Sequence, residues 1–177
     1  SNLAADAFLI MSTGIIGHQL PMQKIEAGIR DAAASLSSTP EALLATSDGI
    51  MTTDATRKLA DSTITLDGQT YSIVAMAKGA GMIGPSMATM LGIIVTDVPL
   101  TPVHAQRMLQ YAADRSFNCV SVEGHTSTND SLVLMAASPA ATSLSEKALA
   151  LFQQELTELC IKLAKMIPDD GEGATHT

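Results

Sequence analysis

Tryptophan is absent from the 177-residue chain and aromatic residues make up only 3% of it, so the core is not built on large rings. Ten dispersed methionines fill part of that role instead, as flexible and polarisable side chains. A membrane-spanning run is missing too: the longest apolar stretches have strand length and are broken by Thr, Ser or Gly, short of the roughly 20 residues a transmembrane helix needs. Basic residues are few. Ten Lys and Arg against eighteen Asp and Glu leave a formal charge of −8, which does not supply the basic patch that a phosphate backbone demands and argues against a nucleic-acid partner. No positive region precedes the apolar residues of the first ten positions, so a secretory leader is not expected. Cys119 and Cys160 have neither CxxC spacing nor a neighbouring histidine and are expected to be buried free thiols of a reducing compartment. His18, His104, His125 and His176 are too scattered for a metal site, Glu123 with His125 is at most a loop pair, and no metal is expected.

What the chain does contain is apolar material, 46% of its residues against 16% charged, enough for one domain spanning residues 1–177 with a well-filled core. Ala7–Met11 reads as a short buried strand entering the small-residue turn Ser12-Thr13-Gly14. From Leu20 to Leu36, Met22, Ile25, Ile29, Ala32 and Ala33 recur at helical spacing. Thr39 as N-cap with Pro40 behind it starts a second helix whose core face is Leu43 and Leu44. Asp67-Gly68, between Thr63–Leu66 and Thr70–Met76, is a hairpin signal, because a type I′ turn needs two residues that tolerate positive φ.

Met90–Thr96 reads as a buried central strand. Thr101-Pro102 opens a helix reaching to about Phe117 that turns Val103, Met108, Leu109, Ala112 and Ala113 inward. Cys119–Val122 and Ser131–Ala136 look like paired strands around a polar loop. A last helix carries the capping-box pair Ser143 and Glu146, an apolar stripe from Leu149 through Phe152, Leu156, Leu159 and Leu163 to Met166, and Pro168 at its close. Strands and helices mix without βαβ alternation, so the expected fold class is α/β (α+β), a layered sandwich of mixed, mainly antiparallel sheets with flanking helices.

One segment carries most of the chemical information. Lys78-Gly79-Ala80-Gly81-Met82-Ile83-Gly84-Pro85-Ser86-Met87-Ala88-Thr89-Met90-Leu91 sets a threonine among small and apolar residues behind a glycine-rich turn. Gly79-x-Gly81-x-x-Gly84 matches the dinucleotide fingerprint and follows a strand, with Asp97 beyond. The twelve residues between Gly84 and Asp97, the first of them proline, cannot hold both a crossover helix and the next strand, which excludes that reading. Spacing alone then favours a glycine turn between two core strands, with Thr89 an ordinary β-branched strand residue.

Resemblance adds a second reading. Ser12-Thr13-Gly14-Ile15-Ile16-Gly17, Leu20-Pro21-Met22, Met51-Thr52-Thr53-Asp54, Lys78 to Leu91, Asn118-Cys119 with Thr126-Ser127-Thr128-Asn129-Asp130, and Asp170-Gly171-Glu172-Gly173-Ala174-Thr175 resemble, block by block and in order, the ornithine acetyltransferase (glutamate N-acetyltransferase) family. That resemblance implies an N-terminal-nucleophile-like fold, self-cleavage between Ala88 and Thr89, and a chain that looks like the middle part of a member about twice as long. Residues 1–88 would end an alpha chain and 89–177 begin a beta chain.

The implied reaction passes acetyl from N-acetylornithine to glutamate through an acetyl-threonine on Thr89, in the acetyl cycle of arginine biosynthesis. A free α-amino group with a pKa near 8 suits the threonine hydroxyl as its base. The resemblance gives Thr13 and Gly14 the oxyanion and Thr52, Lys78, Thr89 and Glu172 the substrate. Adjacent Thr53 stays open beside Thr52. By composition alone Thr13 is a turn residue, Lys78 a solvent-facing lysine and Glu172 one acid of a solvated tail.

No cofactor is implied, and acetyl-CoA stays open as a further acetyl donor. Small-molecule substrates, an assembly of two alpha and two beta chains, no membrane partner, and a cytoplasmic setting (mitochondrial matrix in a fungus) complete the expectation. The alternatives are a self-processing aminopeptidase or amidase of similar design and a non-catalytic binding or assembly fragment.

Overall fold

The computed structural model describes residues 4–84, 89–137 and 144–171. In chain order these form helices α1 (Met22–Ala34) and α2 (Pro40–Gly49), strands β1 (Lys58–Leu66), β2 (Gln69–Lys78) and β3 (Leu91–Pro99), helix α3 (Pro102–Ala113), strand β4 (Ser131–Ala137) and the long helix α4 (Glu146–Asp169), with short 3-10 turns at Ala5–Ala7 and Phe117–Cys119. The strands make one sheet in the order β1-β2-β3-β4, antiparallel at the first two seams and parallel at the third. The expected α/β class and the mixed, mainly antiparallel character both hold.

The hairpin forms where expected. Asp67 and Gly68 have φ of 48° and 83°, and the register Leu66↔Gln69 closes a two-residue turn. Asp67 also reaches across the chain: its carboxylate accepts the Ser145 N–H at 2.8 Å and the Ser145 hydroxyl at 2.6 Å. Ser145 in turn caps α4, its Oγ accepting the Ala148 N–H at 3.2 Å. The cap is therefore Ser145, whose Oγ reaches the third residue of the helix, and Glu146 is the first helical residue rather than the capping-box partner; Ser143 lies outside the described residues. The caps at Thr39 and Thr101 form as expected, accepting from Ala42 and His104.

Helix α4 lays its stripe on β1 and β2. Phe152, Leu156 and Leu163 are fully buried, together with Ile73, Ala75, Ile94 and Val98 from the sheet, and each large side chain removed from water contributes about 1.5–3 kcal/mol before entropy is charged against it. On the opposite face Val95 and Met135, neighbours across the parallel seam, stay 45% and 47% exposed. Helix α1 has no buried residue: Met22 and Ile29 of its apolar stripe face outward. The same holds for Leu44 of α2 and Val103 of α3, so the periodicity located these helices but not what covers them.

Three expectations fail. Cys119, expected to be buried, is exposed. Ala7–Met11 is not a strand; Phe8, Leu9 and Ile10 are exposed, and no strand among the described residues offers the run a ladder partner. Cys119–Val122 does not pair with β4. Phe117–Cys119 is a 3-10 turn, leaving Cys119 exposed, and the N–H groups of Val122 and Gly124 donate to the Ile83 carbonyl at 3.0 and 3.1 Å. The segment braces the glycine loop, while β4 runs parallel to β3 after the α3 crossover. A side chain at Gly84 would meet the His125 carbonyl at 2.9 Å, so glycine is required for that contact. Cys160 is buried as expected, its thiol pushed up to about 12 by burial.

Candidate active site

Strand β2 ends at Lys78 and the chain turns at Gly79, whose φ of +149° puts it where L side chains rarely go. Met82 (φ 57°) is a second left-handed residue, and its carbonyl accepts the Thr89 N–H at 2.9 Å. The loop thus folds back on itself, bringing the Thr89 carbonyl to 3.1 Å from where a Gly79 Cβ would stand. A non-glycine residue at positive φ is a local strain held by its surroundings. It sits seven residues before the nucleophile candidate.

A cavity of about 260 Å³ opens on this loop, walled by Thr13, Gly14, Lys78, Thr89, Ser127 and Asp130 among others. Four of the candidates therefore share one space. Thr89 Oγ1 is buried and has no hydrogen-bond partner among the described residues, an unusual state for a buried hydroxyl and one that leaves it available for reaction. Lys78 is 2% exposed, not the solvent-facing residue of the composition reading. Its Nζ donates to Thr13 Oγ1 at 3.3 Å. Because a hydroxyl has one proton to give, accepting from Lys78 leaves the Thr13 O–H free to donate to a third group. Burial lowers the Lys78 pKa, opposed by the charges of Asp54 and Asp130.

The other expected site residues fall differently. Thr52 does not wall the cavity; its N–H donates to Asp54 Oδ2 at 3.2 Å. Ala88 and Glu172 lie outside the described residues. Three carboxylates had no role assigned from sequence. Asp54 Oδ1 accepts the Gly79 N–H at 2.7 Å and the Lys58 ammonium at 2.6 Å. Asp170 accepts Lys58 at 2.6 Å from 112 residues away. Asp130 accepts the N–H of Met90, the residue after Thr89, at 3.4 Å, while its other oxygen is buried without a partner among the described residues. All three stand in the blocks that carried the resemblance, and that was their only signal.

Burial pushes Asp130 up to about 6, although the Met90 amide, the neighbouring Ser127 hydroxyl and the Lys78 charge pull it down. A carboxyl raised above its unfolded value makes the protein less stable as pH climbs from about 4 through about 6. The Asp130→Asn variant escapes that cost. Its melting temperature minus that of the wild type is expected to rise across this window and level off above it, by thermal scans at stepped pH; a flat difference would mean an ordinary carboxylate.

Fold and cavity together define an α/β protein in which a threonine hydroxyl, buried and without a partner among the described residues, shares a cavity with a buried lysine. The chain belongs to the ArgJ family, whose model matches residues 1–177. It is 48% identical over 172 residues to the arginine biosynthesis bifunctional protein ArgJ of Rhodopirellula baltica, covering 95% of this chain and 42% of that protein. It is 46% identical over 180 residues to the ArgJ protein of Aspergillus clavatus, which is named mitochondrial, covering 98% and 40%. The chain thus spans about two fifths of these relatives' length. Among solved structures, an L-aminopeptidase D-Ala-esterase/amidase from Ochrobactrum anthropi aligns with a TM-score of 0.41 and 12% identity over 60% of this chain and 38% of that one, too distant to bear on function.

Proposed function

We propose that the protein to which this chain belongs transfers acetyl from N-acetylornithine to glutamate in arginine biosynthesis, through an ester on Thr89. The observation that carries the reading is the Thr89 hydroxyl, without a hydrogen-bond partner among the described residues, in a cavity shared with Thr13, Gly14 and Lys78 of a chain of the ArgJ family. Self-cleavage comes first. Thr89 Oγ bonds to the Ala88 carbonyl carbon, the bond from that carbon to the Thr89 nitrogen breaks, and the hydroxyl proton ends on that nitrogen. Water then opens the ester, leaving a carboxylate on Ala88 and a free amine and hydroxyl on Thr89. Residues 1–88 and 89–177 would belong to separate alpha and beta chains of one assembly.

The freed amine takes the Thr89 proton as the hydroxyl attacks the acetyl carbonyl. Thr13 O–H and the Gly14 N–H face the developing oxyanion, a role in which losing one donor costs about 3–4 kcal/mol in other enzymes. Lys78 holds the substrate carboxylate as a compact charge, with Glu172 as a further substrate contact, while Thr52, which does not wall the cavity, gives its N–H to Asp54 instead. Collapse of the intermediate expels ornithine, and glutamate later takes the acetyl by the reverse steps. No metal or organic cofactor enters.

The relatives' word bifunctional leads us to extend donor use to acetyl-CoA. A cytoplasmic or, in a fungus, mitochondrial setting fits the same reading. The test is a matrix of donors and acceptors on the full-length protein. Ornithine release from N-acetylornithine that depends on glutamate and is matched by acetylglutamate formed is expected; equal ornithine release with water alone would mean an amidase.

A further inference from the structure

Lys58 is among the largest fully buried side chains of the described residues, and it ends in an amine. Its three ammonium protons have three acceptors: Asp54 Oδ1 at 2.6 Å, Asp170 Oδ2 at 2.6 Å and the Thr56 carbonyl at 3.4 Å. The carboxylates are filled from other sides. Asp54 also takes the N–H groups of Gly79 and Thr52, and Asp170 takes those of Ala55 and Thr56 at 3.0 and 3.2 Å. The result is a closed network joining the start of β1, the turn after β2 and the C-cap of α4.

Such a network is a poor way to gain stability, because desolvating three charges offsets most of their attraction and apolar side chains of the same volume often do as well. What it does supply is fixed geometry. The Gly79 N–H held by Asp54 lies one peptide beyond Lys78, and Lys78 has no salt-bridge partner within 4 Å among the described residues to hold it instead. Asp170 stands two residues before Glu172 in the chain.

We propose that Asp54, Lys58 and Asp170 are positioning residues, a buried ion triad that sets Lys78 at the cavity wall and ties that setting to the end of α4. The proposal rests on the reading of Lys78 as the substrate-carboxylate contact. Through the triad, a displacement at the C-cap of α4 is felt at Gly79, and the lysine's aim at a carboxylate depends on a residue that touches no substrate.

The sharp variant is Asp170→Asn in the full-length protein, which keeps the inner Asp54–Lys58 pair. At a temperature where circular dichroism shows it folded, its KM for N-acetylornithine is expected to rise about 10-fold or more, with kcat falling far less and self-cleavage complete. A KM equal to the wild type's, whatever the melting temperature does, overturns the proposal and leaves the acetyl-transfer reading standing. A wild type that shows no saturable N-acetylornithine turnover overturns both.

A measurement on the wild type covers the case in which the variant does not fold. Saturating ornithine is expected to slow hydrogen exchange at the Gly79, Ala55 and Thr56 amides together, since the triad holds all three. Protection at Gly79 with Ala55 and Thr56 unchanged overturns the proposal.

Discussion

Thr89→Ala is expected to leave the chain uncut at residues 88–89 and to abolish acetyl transfer, by roughly 10⁶-fold if the loss compares with removal of the hydroxyl nucleophile from a serine protease. The size follows from the proposed mechanism, in which one hydroxyl serves two reactions. Alanine removes the atom that attacks the preceding carbonyl, so the α-amine that should act as base is never released, and it removes the atom that would carry the acetyl group. Because Thr89 Oγ1 has no hydrogen-bond partner among the described residues, alanine breaks no bond there, and a folding defect is a poor explanation for such a loss. Thr89→Ser separates the two ideas. Serine keeps the oxygen, so cleavage and some transfer should return, whereas a nucleophile elsewhere would leave both variants alike. Gel mobility and acetylglutamate yield, read side by side, check this.

The second large effect is on stability. Lys58→Met leaves Asp54 and Asp170 facing each other across a buried methyl with no cation between them, and breaking a buried ion pair from one side costs about 3–5 kcal/mol. That is a large share of the 5–15 kcal/mol by which a typical domain is stable. The pH dependence gives the claim its shape. Burial raises both carboxyls, but hydrogen bonds and the Lys58 charge outweigh it, so both sit below the usual carboxylate range in the folded protein.

For a carboxyl depressed in this way, the stabilisation is present above its unfolded pKa, near 4, and is lost as pH falls through the lower folded value. In Lys58→Met the same groups pick up protons readily. The melting-temperature deficit should therefore be greatest near pH 7 and shrink toward pH 4. A deficit independent of pH would show that lost packing, not charge, is the cause.

Local chemistry made much of the fold readable. The Asp67-Gly68 turn and the caps at Thr39 and Thr101 depend on residues a few positions apart, and each forms as expected. Pairing across distance did not show. Nothing near Val122 says that its N–H goes to Ile83, and β4 lies beside β3 because the α3 crossover delivers it there. The exposed stripes of α1 and of residues 8–10 have an equally non-local cause: the partner that would bury an apolar face is not written in the face.

The site divides in the same way. Thr13, Gly14, Lys78 and Thr89 were readable through resemblance, and the cavity brings them together. Lys58 gave no signal at all, since a lysine opening a strand is usually a solvated one and its partner Asp170 is 112 residues distant.

The central claim is an acetyl group on Thr89. Full-length protein mixed with N-acetylornithine without glutamate, quenched in acid and analysed by peptide mass spectrometry, tests it directly. The expected result is a peptide whose first residue is Thr89, heavier by one acetyl group on its side-chain oxygen, with the label discharged when glutamate is added before the quench. An uncut 88–89 bond in an enzyme that still transfers acetyl, or an acetyl group on any other residue, would contradict it.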